Sequence, residues 1–320
     1  MALRIRPFVK GQDEDAWIDV HNRVVSEFPD STPTTRAEYD LEVGAPNFDP
    51  AGRFVAELDS TVIGTVYAEL DPEDKKHIGN LGQPRVLSEH RRQGIGTALA
   101  QRAFESFRER GVSKVQCGVR GDNPAGKAFL ESLGFRQDRV MSWMRRRLDG
   151  IPAGPGENPA VEIRTIPDSP DSLVLRQRLY CEAFAEHFNY QAPTLELMRY
   201  WQEEAAKLGI VTFRELAFVQ GEPVGYLSSS IDPRECEHLN RKRGNLDVLG
   251  VLKPFRHQGI ATALMLSGMR RLKELGMEEA ELFVDDSNVT HALRLYEKLG
   301  FQLVRKVLHF ERELETASGV

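Results

Sequence analysis

The chain has 320 residues, of which 41% are hydrophobic and 28% are charged, and its formal net charge at pH 7 is −6. This length suits two domains, each with its own core, and the acidic balance argues against nucleic-acid binding, which usually needs a basic domain. The three cysteines are too few and too scattered for a disulfide framework or a zinc site. Because no apolar run approaches a membrane span and the first ten residues lack a signal-peptide core, we expect a cytoplasmic protein with no membrane partner.

The first half of the chain alternates strand and helix signals. In order, they predict an opening strand, a helical region, a hairpin, a strand, a helix, another strand, a short helix and a last strand pair. The segments that carry the clearest signals are LRIRPF (3–8), FVAELDSTVIGTVYAEL (54–70), a strand ending at Val86, RRQGIGTAL (91–99) and KVQCGV (114–119). Asp59 and Ser60 supply the turn of the hairpin.

The second half repeats this order, which indicates the duplication of a whole domain. Its corresponding segments are VEIRTI (161–166), LAFVQGEPVGYLSSS (216–230), a strand ending at Val251, RHQGIATAL (256–264) and EAELFV (279–284). Gly94 and Gly259 are 165 positions apart, and so are Asn123 and Asn288.

The segment DGIPAGPGENPA (149–160) lies between the two copies, and its proline and glycine content predicts a linker. We therefore predict an N-terminal domain over residues 1–148 and a C-terminal domain over residues 161–320. Strands on both sides of helices predict an α/β (α+β) sandwich with a mixed sheet in each domain.

The repeated nonapeptide predicts a site for a pyrophosphate. It leads from a strand into a helix, and the first turn of a helix presents backbone N–H groups that have no partner within the helix. Such N-termini bind phosphates. Gly94 and Gly259 let the backbone approach an anion without a Cβ, Gly96 and Ala261 keep the next turn slim, and an arginine precedes each loop.

The residues behind the second loop add a family resemblance. The segment VLKPFRHQGIA (251–261) is followed by Asn288, Ala292 and LYEKLGF (295–301), and this combination resembles the GNAT superfamily of acyl-CoA-dependent N-acetyltransferases. Each half looks like one whole GNAT domain, a layout similar to that of tandem members of the family. The resemblance implies a mixed, mostly antiparallel central sheet flanked by helices in each domain.

The resemblance also implies an N-acetyltransferase that uses acetyl-CoA, with the pyrophosphate on the loop amides and the pantetheine arm in a gap between two strands. The implied cofactor-binding residues of the C-terminal domain are Leu249, Val251, Arg256, His257, Gln258, Gly259, Ile260, Ala261, Thr262 and Asn288. Those of the N-terminal domain are Val86, Arg91, Arg92, Gln93, Gly94, Gly96 and Thr97.

Direct attack of an amine on a thioester needs a base, an N–H donor for the carbonyl oxygen and an acid for the leaving thiolate. The resemblance places Tyr296 as the acid, and Asp247 lies on the strand that often supplies a carboxylate base. The backbone N–H of Leu249 would bind the acetyl oxygen. Near the preceding loop, three further residues are alternative bases: Glu235, Glu237 and His238.

The first repeat differs at these three positions. Leu130 stands at the position of Tyr296, Gly82 at that of Asp247 and Pro84 at that of Leu249. Leucine and glycine have no side chain that transfers a proton, and proline has no backbone N–H. We therefore expect the N-terminal domain to be catalytically degenerate, with the chemistry in the C-terminal domain.

The acceptor is expected to be a small-molecule amine, with His187, Phe188 and Tyr190 lining its pocket. No metal-ligand cluster is evident, and the protein is expected to be a monomer or a homodimer. Two alternatives stay open. The chain could be a CoA-binding regulatory or structural protein without turnover, or both domains could act on different substrates.

Overall fold

The computed structural model describes residues 3–70, 78–152, 160–188, 190–288, 290 and 292–315. Most of the predicted linker, residues 153–159, lies outside the described residues. The chain divides into two compact units, and each consists of a sheet with helices packed against it. The first unit comprises Met1–Val140 together with Val307–Val320, and the second unit comprises Met141–Lys306.

The first unit contains strands and helices in the order expected from the sequence, with two differences: the strand that ends at Val86 is broken in two, and a single strand stands where a last strand pair was predicted. The elements are β1 (Leu3–Pro7), α1 (Glu14–Val25), α2 (Arg36–Gly44), β2 (Arg53–Leu58), β3 (Thr61–Leu70), β4 (Ile78–Leu81), β5 (Arg85–Val86), α3 (Ile95–Glu109), β6 (Lys114–Arg120), α4 (Pro124–Ser132) and the beginning of β7 (Arg136–Arg147). Strands β1, β2 and β3 pair antiparallel, β4 and β5 both pair antiparallel with β3, and β4 pairs parallel with β6.

The second unit repeats this arrangement. Its elements are β8 (Val161–Thr165), α5 (Pro170–Phe184), α6 (Leu195–Lys207), β9 (Val211–Val219), β10 (Glu222–Ile231), α7 (Pro233–His238), β11 (Arg243–Val251), α8 (Ile260–Glu274), β12 (Glu279–Asp285), α9 (Ala292–Lys298) and β13 (Gln302–Glu313). Strands β8 to β11 pair antiparallel in sequence order, and β11 pairs parallel with β12. The prediction of mixed, mostly antiparallel sheets flanked by helices is confirmed.

The compact units and the sequence repeats have different boundaries, because each sheet ends on a strand from the other repeat. In the first unit, residues 307–313 of β13 pair antiparallel with β6. In the second unit, residues 141–147 of β7 pair antiparallel with β12. Phe310 is fully buried in the core of the first unit, although it belongs to the second sequence repeat.

Helix starts follow local sequence. Thr35 and Ser169 each form a capping box at the beginning of a helix. Helices α3 and α8 begin differently, since their cap residues Gly94 and Gly259 are left-handed and make no side-chain cap bond. Each of these two helices packs an apolar face on its sheet, and in α8 this face includes Ile260, which is 1% exposed.

The burial of Phe310 yields the first testable prediction. Replacing Phe310 by Ala should lower the free energy of unfolding of the first unit by about 3–5 kcal/mol, because a large cavity opens in its core. Urea denaturation followed by the fluorescence of Trp17, in a chain where Trp143 and Trp201 are replaced by Phe, measures this unit. Leu303→Ala on the same strand is the control, since Leu303 is 53% exposed and its loss should cost less than about 0.5 kcal/mol. An unchanged Trp17 transition in Phe310→Ala would contradict the strand assignment.

Candidate active site

The second unit contains a cleft of about 430 Å³ at the place where strands β11 and β12 part. Their parallel pairing covers only three residue pairs and ends at Asn245 opposite Glu281. Beyond that point, both strands and the beginnings of α8 and α9 line the cleft. The edge of β11 that faces away from β10 is therefore free of strand pairing from residue 247 onward, among the described residues.

The backbone N–H of Leu249 points to this free edge. Leu252 donates its N–H to the carbonyl oxygen of Val224 on the β10 side at 2.9 Å. Because the direction of N–H groups alternates along an antiparallel strand, Gly250 also faces β10, while Leu249 and Val251 face the opposite side. An extended chain could pair with β11 here as an added strand.

Asp247 lies on β11 at a break in register, where its neighbours pair with the consecutive residues Ser228 and Ser229. A β-bulge of this kind redirects a side chain, and Asp247 lines the cleft. Its side chain is exposed to the cleft, but the surrounding protein limits its hydration and raises the pKa of Asp247 to about 6. A hydrogen bond from Ser230 and the positive charge of Arg214 oppose this rise.

The loop before α8 has the backbone of an anion cradle. His257 and Gly259 are both left-handed, with φ values of 63° and 81°. Alternation of left-handed residues turns successive N–H groups toward one side, and a non-glycine residue in this conformation is strained. Space is open where a Cβ of Gly259 would lie, and Gly259 lines the cleft together with Ile260, Ala261 and Thr262.

Arg256 stabilises the loop from behind. Its Nε donates to the carbonyl oxygen of Val251 at 3.2 Å, and its Nη2 donates to that of Ala183 in α5 at 3.0 Å. Its Nη1 forms an ion pair with Glu186 at 3.3 Å. The guanidinium therefore ties the end of β11 to the end of α5.

Tyr296 on α9 also lines the cleft. It is 8% exposed, its ring meets Phe301 edge-on at 6.1 Å, and burial raises its pKa to about 12. A phenol in this environment keeps its proton at neutral pH and can donate a hydrogen bond to an anion formed beside it.

Asn288 and His187 meet at the same cleft. The amide nitrogen of Asn288 lies 3.3 Å from Nε2 of His187, and its side-chain oxygen accepts a bond from the N–H of Thr290 at 2.8 Å. Both Asn288 and His187 line the cleft. Asn288 thus fixes the turn before α9 and orients the imidazole of His187, which lies just after helix α5.

Other sequence candidates lie elsewhere. Phe188, Tyr190 and Gln258 are not part of the cleft lining, and Gln258 donates its side-chain N–H to the carbonyl oxygen of Pro254 at 3.2 Å. The three alternative bases on α7, which are Glu235, Glu237 and His238, do not line it either, and Glu235 is bound to Arg243.

The cleft also contains side chains that the sequence did not single out: Met141, Tyr180, Phe184, Phe255 and Phe283. Tyr180 and Phe184 are one helical turn apart on α5, and their rings stack at 4.7 Å. Their spacing of four residues in LYCEAF (179–184) indicates that both rings lie on one face of the helix. Met141 comes from strand β7 of the first repeat, so no pattern within the second repeat could indicate it.

The first unit repeats the loop but not the reactive side chains. Arg92 and Gly94 have φ values of 62° and 82°, which match the second loop, and Nε of Arg91 donates to the carbonyl oxygen of Val86 at 2.8 Å. Glu27 binds both terminal nitrogens of Arg91, at 2.9 and 2.6 Å. Gln93, Gly94 and Thr97 are exposed and Gly96 is half-buried at the beginning of α3.

The three positions that correspond to Asp247, Leu249 and Tyr296 are altered in the backbone as well as in the side chains. The strand that corresponds to β11 is broken into β4 and β5 on either side of Pro84. A Cβ at Gly82 would overlap the ring of Tyr67, and Leu130 is fully buried. The first unit therefore has no room for a carboxylate at position 82 unless Tyr67 moves.

Among the described residues, no helix is long and apolar enough to cross a membrane. Within the same ranges, no group of three or more His, Cys, Asp or Glu side chains could hold a metal ion.

Known proteins resemble the chain, some over about half of its length and others over most of it. Mycothiol acetyltransferase of Acidothermus cellulolyticus is 31% identical over 265 residues, which cover 79% of this chain and 77% of that protein. Mycothiol acetyltransferase of Thermobispora bispora is 31% identical over 147 residues, which are 45% of this chain and 50% of that protein. The solved tandem GNAT protein from the clavulanic acid biosynthesis pathway is 19% identical with a TM-score of 0.74, covers 99% of this chain and 100% of that one, and shares the fold.

The family model for acetyltransferases of the GNAT family matches residues 17–135 and again residues 176–301. These ranges contain both anion loops and, in the second, both Asp247 and Tyr296. The chain belongs to the GNAT family of acetyltransferases and carries two of its domains in tandem.

Proposed function

We propose that the second unit transfers an acetyl group from acetyl-CoA to a primary amine of a small molecule. One observation supports this above the others: a carboxylate with a pKa of about 6, a buried phenol and an anion loop line the same cleft, at the open edge of β11. Acetyl-CoA supplies an activated thioester carbonyl. The unpaired edge of β11 fits its extended arm, and the left-handed loop with the uncapped N-terminus of α8 fits its pyrophosphate.

Each reactive group of the protein has a separate task. The carboxylate of Asp247 accepts a proton from the acceptor amine, and its raised pKa makes it a better base near neutral pH. The N–H of Leu249 is directed at the position of the carbonyl oxygen. The phenol of Tyr296 retains a proton for the leaving thiolate.

The acceptor we propose is the cysteinyl amine of the mycothiol precursor, since relatives named mycothiol acetyltransferase match along most of the chain. The wall of Tyr180, Phe184 and His187 from the α5 segment supplies aromatic and polar contacts for such a molecule. The first unit is proposed to keep its pyrophosphate loop without catalysis, because Gly82, Pro84 and Leu130 remove the base, the N–H donor and the acid.

The role of Asp247 predicts the pH dependence of the reaction. The base works in its ionised form, so a folded-state pKa raised to about 6 means that kcat/KM falls as the pH drops below about 6. Asp247→Asn should lower kcat/KM by about 100-fold or more and remove this acidic limb. Ser230→Ala removes a hydrogen bond that favours the ionised carboxylate, so it should move the limb to higher pH. If the acidic limb of kcat/KM stays at the same pH in Ser230→Ala, another residue is the base. The same follows if Asp247→Asn is active with an unchanged pH profile.

The role of Tyr296 predicts a loss confined to turnover. Tyr296→Phe keeps the ring and its contact with Phe301 but removes the proton, so kcat should fall by about 100-fold while KM for acetyl-CoA stays within about twofold. Formation of the acetylated product, measured by mass spectrometry, gives both constants. Tyr200→Phe is the control, since Tyr200 belongs to the same unit and is not part of the cleft lining. Equal rates in Tyr296→Phe and Tyr200→Phe would remove Tyr296 from the chemistry.

The two loops predict the stoichiometry of cofactor binding. Calorimetric titration of the wild type with acetyl-CoA should give two equivalents, of which Gly259→Asp removes one and Gly94→Asp the other, because a carboxylate and a strained backbone replace each anion cradle. Acetylation of the amine should be lost together with the binding site that Gly259→Asp removes. Gly221→Asp is the matched control: Gly221 also has a φ of about +83° with open space around it, but lies in a hairpin turn.

The titration separates three cases. Loss of a single site with Gly259→Asp alone would make the first unit a scaffold without cofactor. Undiminished binding in Gly259→Asp would contradict the assignment of the second loop. Binding of acetyl-CoA without acetylation of any amine tested would favour a regulatory protein over an enzyme active on such acceptors.

A further inference from the structure

The first unit contains a separate pocket of about 200 Å³, which we name the first-unit pocket. Helices α1 and α2 supply His21 and Tyr39 to its wall, and the strands supply Arg53, Tyr67 and Arg85. It shares no residue with the cleft of the second unit. None of these five side chains takes part in the chemistry proposed above.

The charge of Arg53 is fully compensated within the protein. Its guanidinium is 1% exposed and lies between the rings of Trp17 and Phe48, at 5.0 and 4.8 Å from their centroids. Its Nη2 binds Glu42 and, at 2.9 Å, Glu69. Arg53 and the two carboxylates thus form a structural ion cluster with one acid more than base, and both acids bind the same nitrogen of Arg53.

Arg85 has no such compensation. Among the described residues, no hydrogen bond or ion pair reaches its guanidinium within the usual distances. Burial lowers the pKa of Arg85, and attraction from Glu42 offsets only part of this effect. Arg85 is half-buried on the pocket wall, so its guanidinium can take an anion that enters the pocket as its partner.

The groups around Arg85 are donors of hydrogen bonds. Burial and the charge of Arg85 lower the pKa of His21 to about 4, so its imidazole is neutral at pH 7 and carries one N–H. The hydroxyl of Tyr39, a residue that is 1% exposed, lies in the same pocket wall beside Arg53 and has no acceptor within hydrogen-bond distance in the described part of the chain. Burial raises the pKa of Tyr67 to about 12, which keeps its phenol protonated.

We propose that the first-unit pocket binds a small monocarboxylate, with its carboxylate on Arg85 and its apolar part against Trp17 and Ile18. A guanidinium fork matches the planar carboxylate in two parallel hydrogen bonds, and the neutral donors satisfy its remaining lone pairs. The volume of about 200 Å³ equals the space of about seven water molecules, which limits the ligand to a few carbon atoms. Glu42 and Glu69 in the wall repel a second negative charge, so a monoanion is favoured over a phosphate dianion.

The pocket exists because of a residue that distinguishes the two repeats. The ring of Tyr67 packs against Gly82, where a Cβ would overlap it, and the N–H of Gly82 donates to the carbonyl oxygen of Tyr67 at 2.9 Å. The ring of Tyr67, which forms a wall of this pocket, therefore fills the space that a side chain at position 82 would need. Position 82 corresponds to Asp247 in the second repeat.

Calorimetry and thermal unfolding of the full chain test the proposal, with acetate, propionate, butyrate and inorganic phosphate as probes at constant ionic strength. At least one monocarboxylate should bind and raise Tm. Arg85→Gln should weaken that binding at least tenfold, and Tyr39→Phe about threefold. Without ligand, Arg85→Gln should keep or raise Tm, because the variant removes a half-buried charge that has no ion-pair partner. Arg108→Gln on the exposed side of α3 is the matched control and should change neither property.

Four results would overturn the proposal. The first is that none of the three carboxylates binds at 20 mM, a concentration about 100-fold above a Kd of about 0.2 mM. The second is carboxylate binding that is equal in Arg85→Gln and wild type, and the third is a ligand-free Tm that falls in Arg85→Gln. The fourth is that phosphate, and not a carboxylate, binds in a way that depends on Arg85. Phosphate binding that Arg85→Gln leaves unchanged belongs to the two loops, and the carboxylate result then decides alone. If Arg85→Gln does not fold, unaltered binding in Tyr39→Phe would equally reject the site.

Discussion

The parting of β11 from β12 after Asn245 is the constraint on which the active site depends. Up to that residue the two strands are an ordinary parallel pair, and beyond it β11 keeps only its bonds to β10. The edge that remains can bind an extended arm through backbone groups alone, and the same separation gives a bulge at Asp247 and the N-terminus of α8 access to one space. Helix α5 packs closely on the parted strand: a Cβ at Gly250 would lie 2.9 Å from Ala183.

The two repeats share the backbone of the loop but differ in the side chains at the proposed catalytic positions. Both loops have nearly identical left-handed pairs, and both preceding arginines bind the carbonyl oxygen five residues upstream. These features hold the strand end against its surroundings in both units. The positions of Asp247, Leu249 and Tyr296 are a glycine, a proline and a leucine in the first repeat, where the leucine is fully buried and the glycine packs against Tyr67.

The duplication, the mixed sheets and both loops could be predicted from the sequence, because local patterns determine them: period-two strands, turn residues and glycines at helix starts. Asp247 and Tyr296 were found through family motifs, and they line one cleft. Arg256 was expected to add charge for the anion, but its contacts with Val251 and Ala183 depend on the packing of α5. Met141 and the first-unit pocket could not be predicted, since tertiary structure brings together residues that no spacing relates.

The exchange of the last strands has a consequence for how such a chain can be divided. A cut within residues 149–160 would separate the two sequence repeats, yet the N-terminal piece would lack residues 307–313, and the edge of β6 would be left unpaired. The C-terminal piece would lack residues 141–147 and expose the edge of β12. During synthesis, the first sheet likewise cannot be completed until residues 307–313 have been made. Exchanging whole repeats between such proteins would therefore transfer an incomplete sheet. Junctions near residues 140 and 306 would keep both sheets complete.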